Sequence, residues 1–361
     1  MTDSEHSSTL HYFSHKRRNL VVLFLFVLIL FASFVYALQA GSYALSYGHI
    51  FDIIVQALFH SDDSAPLSAE QIVILGFRLP RIMLAILTGM SLAVAGCVMQ
   101  ALLRNPLVSP FTLGLSSAAS FGAAVAIVFG AALTSVIPIL SENAVIVGFA
   151  FLFGWLSVLF IYAISKMKGS SSVTLILSGV VIGYIFTAGV MVLKYITNDE
   201  KLREITLWLM GGMWGANWDA VLVVAPITLV CLLWLESKAW DLNTLSAGDD
   251  VAKNLGVDVE WLRFTGLFVS TLASSACLAF TGIIGFIGLM APHIGRMLIG
   301  NDNRYLIPCS ACIGAVILLL SDTVARTIFM PVEIPVGVIM YIIGGVFFMF
   351  LILRGHHRVM Q

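Results

Sequence analysis

Nine stretches of this chain contain no Asp, Glu, Lys or Arg: Asn19–Phe51, Ile82–Leu103, Asn105–Ser141, Asn143–Ser165, Gly169–Leu193, Ala220–Leu235, Phe264–Gly295, Tyr305–Ser321 and Ile334–Leu353. A bilayer core takes roughly 20 apolar residues in a helix, so runs of this kind are membrane spans. The Phe264–Gly295 run has room for one full helix and a short re-entering one, broken near Thr281–Gly285. The pattern predicts an all-α, polytopic integral membrane protein of about ten transmembrane helices, with a short, broken eighth. Composition agrees: 59% of the 361 residues are hydrophobic and 11% charged, where a soluble domain carries about 25% charged residues.

Basic residues orient the chain. With the N-terminus inside, 16, 17, 18, 104, 166, 168, 238, 253, 263, 296, 304, 354 and 358 fall on the inner side, and 78, 81, 194, 201, 203 and 326 on the outer. The positive-inside rule then puts both ends in the cytoplasm. Lys16, Arg17 and Arg18 precede an apolar run reaching about Ala40, longer than the roughly 7–15 residues of a signal-peptide core, so it reads as the first span. Residues 1–18 and 356–361 read as cytoplasmic tails, and 19–355 as one transmembrane domain. The net charge of −1 points to no nucleic-acid partner. All five Cys lie in apolar spans. Cys309 and Cys312 form a C-x-x-C with no acid or His nearby, which suits packing better than a metal.

One polar island interrupts the hydrocarbon. Glu236–Arg263 holds nine of the 39 charged residues, and Leu242, Leu245, Val251, Leu255 and Val257 give it an apolar side. Gly248 and Gly256 punctuate it as breakers or C-caps. The expectation is two short amphipathic helices at the inner membrane surface. On the outer side Arg78-Leu79-Pro80-Arg81 leads into the second span, with proline in a helix's first turn. Asp322 and Arg326, one turn apart, read as an ion pair at the outer end of the ninth span.

A transporter needs an energy source. Ion-coupled carriers place acids or bases inside the membrane, and here the spans offer His293 alone, in a setting that suits helix packing. The chain has no G-x-x-x-x-G-K-[ST] nucleotide loop, no H-E-x-x-H and no nucleophile–base pair, so no catalytic or metal site is predicted. Energy therefore comes from another chain, received at the island. An ion-coupled secondary carrier is the alternative.

Six motifs in register sharpen this: RLPR at 78–81, MQALLRNPLVSPFTLGLSS at 99–117, WLMGGMWGANW at 208–218, LNTLSAGDDVAKNLGV at 242–257, GFIGLMAPHIGRMLIG at 285–300, and DTVARTI with EIPVG at 322–328 and 333–337. Together, over about residues 20–355, they resemble the permease family of iron–siderophore, haem and cobalamin ABC importers. The resemblance implies a homodimer, or a heterodimer with a paralogous permease, and a substrate pathway along its interface. It also implies two cytoplasmic ATPases, which bind the ATP and Mg, and an extracytoplasmic substrate-binding protein, in a bacterial or archaeal cytoplasmic membrane. This chain would carry no cofactor and move a metal chelate inward, an iron–siderophore first, with haem or cobalamin open. In the island, Leu242, Leu245, Gly248, Asp249, Asp250, Leu255 and Gly256 would seat in the ATPase. Arg78, Arg81 and Arg326 would offer cations to acidic groups of the binding protein. Ser171, Ser172 and Val173 match the inner gate. Val108, Ser109, Ala118 and Val346 depart from the family's usual residues and touch helix packing.

Overall fold

A computed structural model describes residues 3–41, 45–59, 68–136, 141–167 and 171–354. Among them the chain forms fourteen helices and no strand. They are α1 Asp3–Gln39, α2 Tyr47–Phe59, α3 Ala69–Leu103, α4 Leu115–Val136, α5 Glu142–Lys166, α6 Ser172–Ile196 and α7 Asp199–Met210. There follow α8 Trp218–Ser237, α9 Ala239–Ser246, α10 Asp249–Asn254, α11 Val259–Thr281, α12 Ile287–Ile299, α13 Asn303–Thr327 and α14 Val336–Arg354. Eight are long and apolar enough to cross a membrane, and α4 and α12 carry the two shorter apolar segments. The ten segments fall in the predicted order, and the eighth, α12, is the short one.

Some boundaries differ from expectation. The polar stretch before Asn19 is not a separate tail in the described part: α1 begins at Asp3, with its apolar span at Lys16–Gln39. Residues 356–361 lie outside the described residues. The third charge-free run opens at Asn105, but Ser109 and Thr112 exchange hydrogen bonds in a local turn and α4 starts only at Leu115. The second span starts earlier than Pro80. Ala69 opens it behind a capping box from Ser68 and Gln71, and Ile72–Arg78 is π-helical.

The π stretch follows from Pro80. Proline has no N–H, and in an α-helix its ring collides with the carbonyl four residues back. Widening the turn moves the ladder to i→i−5: Leu79 donates to Ile74 O. By that register Leu75 O would await a donor from residue 80. It receives one from Trp218 Nε1, at 2.7 Å.

Helix α3 is the axis of the bundle. Of its most apolar window 83% is buried, against 11% for α1 and 22% for α14 at the periphery. Lipid tails are as apolar as leucine, so close van der Waals contact is what holds helices together here, and small residues permit it. A Cβ at Gly89 would stand 2.4 Å from Gly314 O of α13, and one at Gly96 would stand 1.9 Å from Gly288 O of α12. Main chain therefore packs directly on main chain at both places.

Between α11 and α12 the chain unwinds over 282–286, at the break expected near Thr281–Gly285. Polar groups of the segment are met inside the protein, Gly282 N donating to Leu278 O at 2.8 Å and Phe286 O accepting from Met290 N at 2.8 Å. Beside it, Gly212 N donates to Thr281 O at 2.8 Å and Gly337 N to Gly211 O at 3.2 Å. Phe286, with φ of 66°, starts α12 in a left-handed conformation, its ring against Tyr341 and Phe348. His293 lies edge-on against Phe347 and Phe348.

Gly96→Ala should lower stability by about 2 kcal/mol through backbone overlap with α12. Gly148→Ala, which meets open space in α5, should be neutral or slightly stabilising. Thermal unfolding in detergent distinguishes the two.

Candidate functional site

The polar residues that the sequence singled out gather at the two ends of the α-helical part of α3, Leu79–Leu103. Its 25 residues span about 37 Å at 1.5 Å per residue, so the two groups lie on opposite sides of the bundle.

At the end near Arg81, the structure brings together all three arginines of the expected docking set. Arg81 grips Asp322 with two parallel bonds, Nε to Oδ2 at 3.0 Å and Nη2 to Oδ1 at 2.9 Å. This is the fork geometry in which Arg–carboxylate pairs are strongest. Its remaining edge, Nη1, donates to Glu333 Oε2 at 2.8 Å. Arg78 and Arg326 turn away from the surface: Arg78 Nη1 donates to Leu38 O at 2.8 Å and Gln39 O at 3.3 Å, and Arg326 Nη2 donates to Ala37 O. Those are last-turn carbonyls of α1, which lack partners within their own helix and carry its negative dipole end. The expected Asp322–Arg326 pair is correspondingly loose at 4.0 Å. Arg81 on the neighbouring helix offers a better fork, and Arg326 reaches for α1 instead. Arg78 and Arg326 are only 6% and 7% exposed, so Arg81 and Glu333 form the accessible edge of the cluster.

At the other end, the island folds into the two short helices expected, α9 and α10. Leu242 and Leu245 are buried, 1% and 0% exposed, and they anchor α9 against α3 and α13 rather than facing outward. Gly248, at φ of 121°, takes a backbone conformation that disfavours a side chain, and Gly256 at 89° does the same after α10. Asp249 is held from two sides: Arg263 Nη2 at 2.9 Å from α11, and Arg104 Nη2 at 3.1 Å from just beyond α3. Asp250, Val251, Lys253, Asn254, Leu255 and Gly256 are left exposed, Leu255 at 69%. The predicted set thus divides into anchors, which are Leu242, Leu245 and Asp249, and an outward ledge.

Three supports of this ledge carried no signal in the sequence reading. Asn243 Nδ2 donates to Asp302 Oδ1 at 2.8 Å, and Asn303 N donates to Asn243 Oδ1 at 2.8 Å. Arg304 lies 4.0 Å over the Trp240 ring. Arg104 closes α3 with a left-handed φ of 49°. Partial burial works against charge on Asp302, but hydrogen bonds from Arg304 and Asn243 outweigh it and hold the carboxyl below its usual range. Asp302 and Arg304 are neighbours, but Asn243 with Asp302 and Asn303, Trp240 with Arg304, and Arg104 with Asp249 are remote in sequence, so only the fold pairs them.

Of the expected gate residues, Ser171 caps α6, accepting from Thr174 N at 3.1 Å, and Val173 is 74% exposed while Ser172 is partly buried. The Gly169 and Ser170 part of that turn lies outside the described residues.

Asp322→Asn should cost about 3 kcal/mol of stability, because Arg81 is left without its buried counter-charge. Pairing that change with Arg81→Met should recover part of the loss, and thermal unfolding of the single and double variants measures it.

Comparison with known proteins agrees with this layout. The sequence profile of the FecCD transport family matches residues 28–354. The hemin transport system permease protein HmuU of Yersinia pestis is 41% identical over 78% of this chain and 83% of its own length. The molybdate import system permease protein MolB of Haemophilus influenzae is 36% identical over 91% and 94%. A solved structure described as an inward-facing metal-chelate type ABC transporter superposes with a TM-score of 0.80 at 34% identity, over 92% of this chain and 99% of that one. With the family profile reaching from the first membrane segment to the last, the chain is a multi-pass membrane protein and belongs to the FecCD transport family.

Proposed function

We propose that the chain is the permease subunit of an ATP-driven importer that moves a metal chelate inward, an iron–siderophore first and haem or cobalamin next. The observation that carries this is the ledge Asp250–Gly256: apolar and charged side chains exposed on short helices whose undersides are anchored, in a chain with no nucleotide loop of its own. Such a ledge suits rigid-body coupling to a soluble ATPase. Two permease subunits, identical or paralogous, would line the path between them. Two ATPases would sit on the ledges, and a loaded binding protein would dock at the arginine clusters. Both termini would be cytoplasmic, and Ser171, Ser172 and Val173 would stand at the inner gate. The relatives' names include haem and molybdate, so the binding protein would read most of the cargo's identity and the permease would pass it.

The test is uptake into proteoliposomes holding the chain with its co-purifying ATPase, given loaded binding protein and a panel of metal chelates. Accumulation of one chelate that requires both ATP and binding protein supports the reading. Uptake driven by a proton gradient without ATP would replace it with an ion-coupled carrier. Leu255→Asp should leave the permease folded but cut binding-protein stimulation of ATPase activity about tenfold or more, as loss of an interface anchor does. Arg81→Glu should weaken docking in a way that rising salt masks. Unchanged affinity at low salt would reject a docking role for Arg81.

A further inference from the structure

We propose that Glu333 is a built-in competitor for the acidic groups that dock on Arg81, so that docking at the outer cluster is an exchange of one carboxylate for another. This rests on the docking reading given above.

Arg81 has two working edges. The inner one, Nε and Nη2, is committed to Asp322, whose side chain is 1% exposed. The outer one, Nη1, holds Glu333, whose side chain is 38% exposed. Asp322 is fixed inside the bundle, whereas Glu333 lies on the turn between α13 and α14, where solvent can receive its carboxylate. That turn is itself anchored, by Ile334 N to Ala325 O at 3.0 Å and Val332 N to Phe329 O at 2.9 Å. Glu333 is thereby returned to the same place each time it is displaced. The other two cations offer an incoming carboxylate no alternative edge. Both are buried, and both spend donors on carbonyls 37–39 of α1.

The charge count points the same way. Arg78, Arg81 and Arg326 against Asp322 and Glu333 leave the cluster with one net positive charge. With the Glu333 carboxylate neutralised it would have two. An arriving Asp or Glu that takes over Nη1 makes the bond that Glu333 gives up, so the net gain is a difference between two similar charge-assisted hydrogen bonds. The cluster attracts an acidic surface and orients it, but does not hold it long. That suits a partner that must leave and return in each cycle.

Glu333→Gln removes the charge and keeps the shape, at a surface position outside the buried pair. Binding of the substrate-free binding protein is measured on the full permease–ATPase assembly in nanodiscs, at about 20 mM and about 200 mM salt, where screening differs strongly. Glu333→Gln should bind about fivefold more tightly at low salt, and the gain should shrink at high salt. Arg81→Lys, which keeps a cation beside Asp322 but loses the fork, is the companion variant and should bind more weakly. Unchanged or weaker binding by Glu333→Gln, with weaker binding by Arg81→Lys, would overturn the exchange and leave docking standing. If neither variant changes affinity, docking at this cluster fails, and the exchange fails with it.

Discussion

Main-chain contact around α3 is the constraint on which the rest of the molecule depends. In a hydrocarbon solvent, side-chain burial gives little preference for helix over lipid, so cohesion rests on how closely helices can approach. Gly89 against Gly314 and Gly96 against Gly288 set that distance near its lower limit. Once α3 is seated in this way, α11, α12 and α13 have their places around it. The unwound 282–286 segment is covered by the 211–212 turn and α14, and the ends of α3 are presented at the two membrane surfaces.

The long buried side chains follow one economy: their donors are aimed at carbonyls that a helix end, a turn or a proline leaves open, while buried hydroxyls such as Ser274 and Thr323 bond carbonyls one turn back in their own helix. Arg78 and Arg326 serve the last turn of α1, Trp218 serves the carbonyl that Pro80 leaves open, and Gln100 Nε2 serves Val108 O and Gly288 O. Helix termini and proline kinks are where backbone groups go unmatched, and in the absence of water other parts of the protein must supply the match.

This explains what could be read in advance. Charge-free runs report spans directly, so ten segments, the short eighth and the polar island were all visible, as was the amphipathic face of the island. The division of labour within that face was not. Leu242 and Leu255 are the same residue type in the same motif, yet Leu242 lies on the face of α9 that packs into the bundle and Leu255, just past α10, stands exposed on the ledge. The fate of the arginines was hidden for a related reason. Arg78 and Arg81 lie three residues apart, but their partners, at 38 and 39 and at 322 and 333, come from opposite ends of the chain. Sequence spacing suggested Arg326 for Asp322, and a fork from another helix displaced it. The helical start at Ala69 was masked by Pro80, which normally marks a first turn and here is accommodated by a π-helical widening upstream.

Arg81 and Arg104 are joined by one unbroken stretch of α-helix, the first fastened to Asp322 and Glu333 and the second to Asp249. A hydrogen-bonded helix resists stretching, and this one touches its neighbours backbone to backbone, with no soft layer to absorb a displacement. A push on the Arg81 cluster would therefore arrive at the Asp249 ledge as a tilt, a turn or a slide of the same strut. Under the proposed docking, news of a partner would cross the membrane through one continuous piece of secondary structure, with no relay of side chains between the two faces.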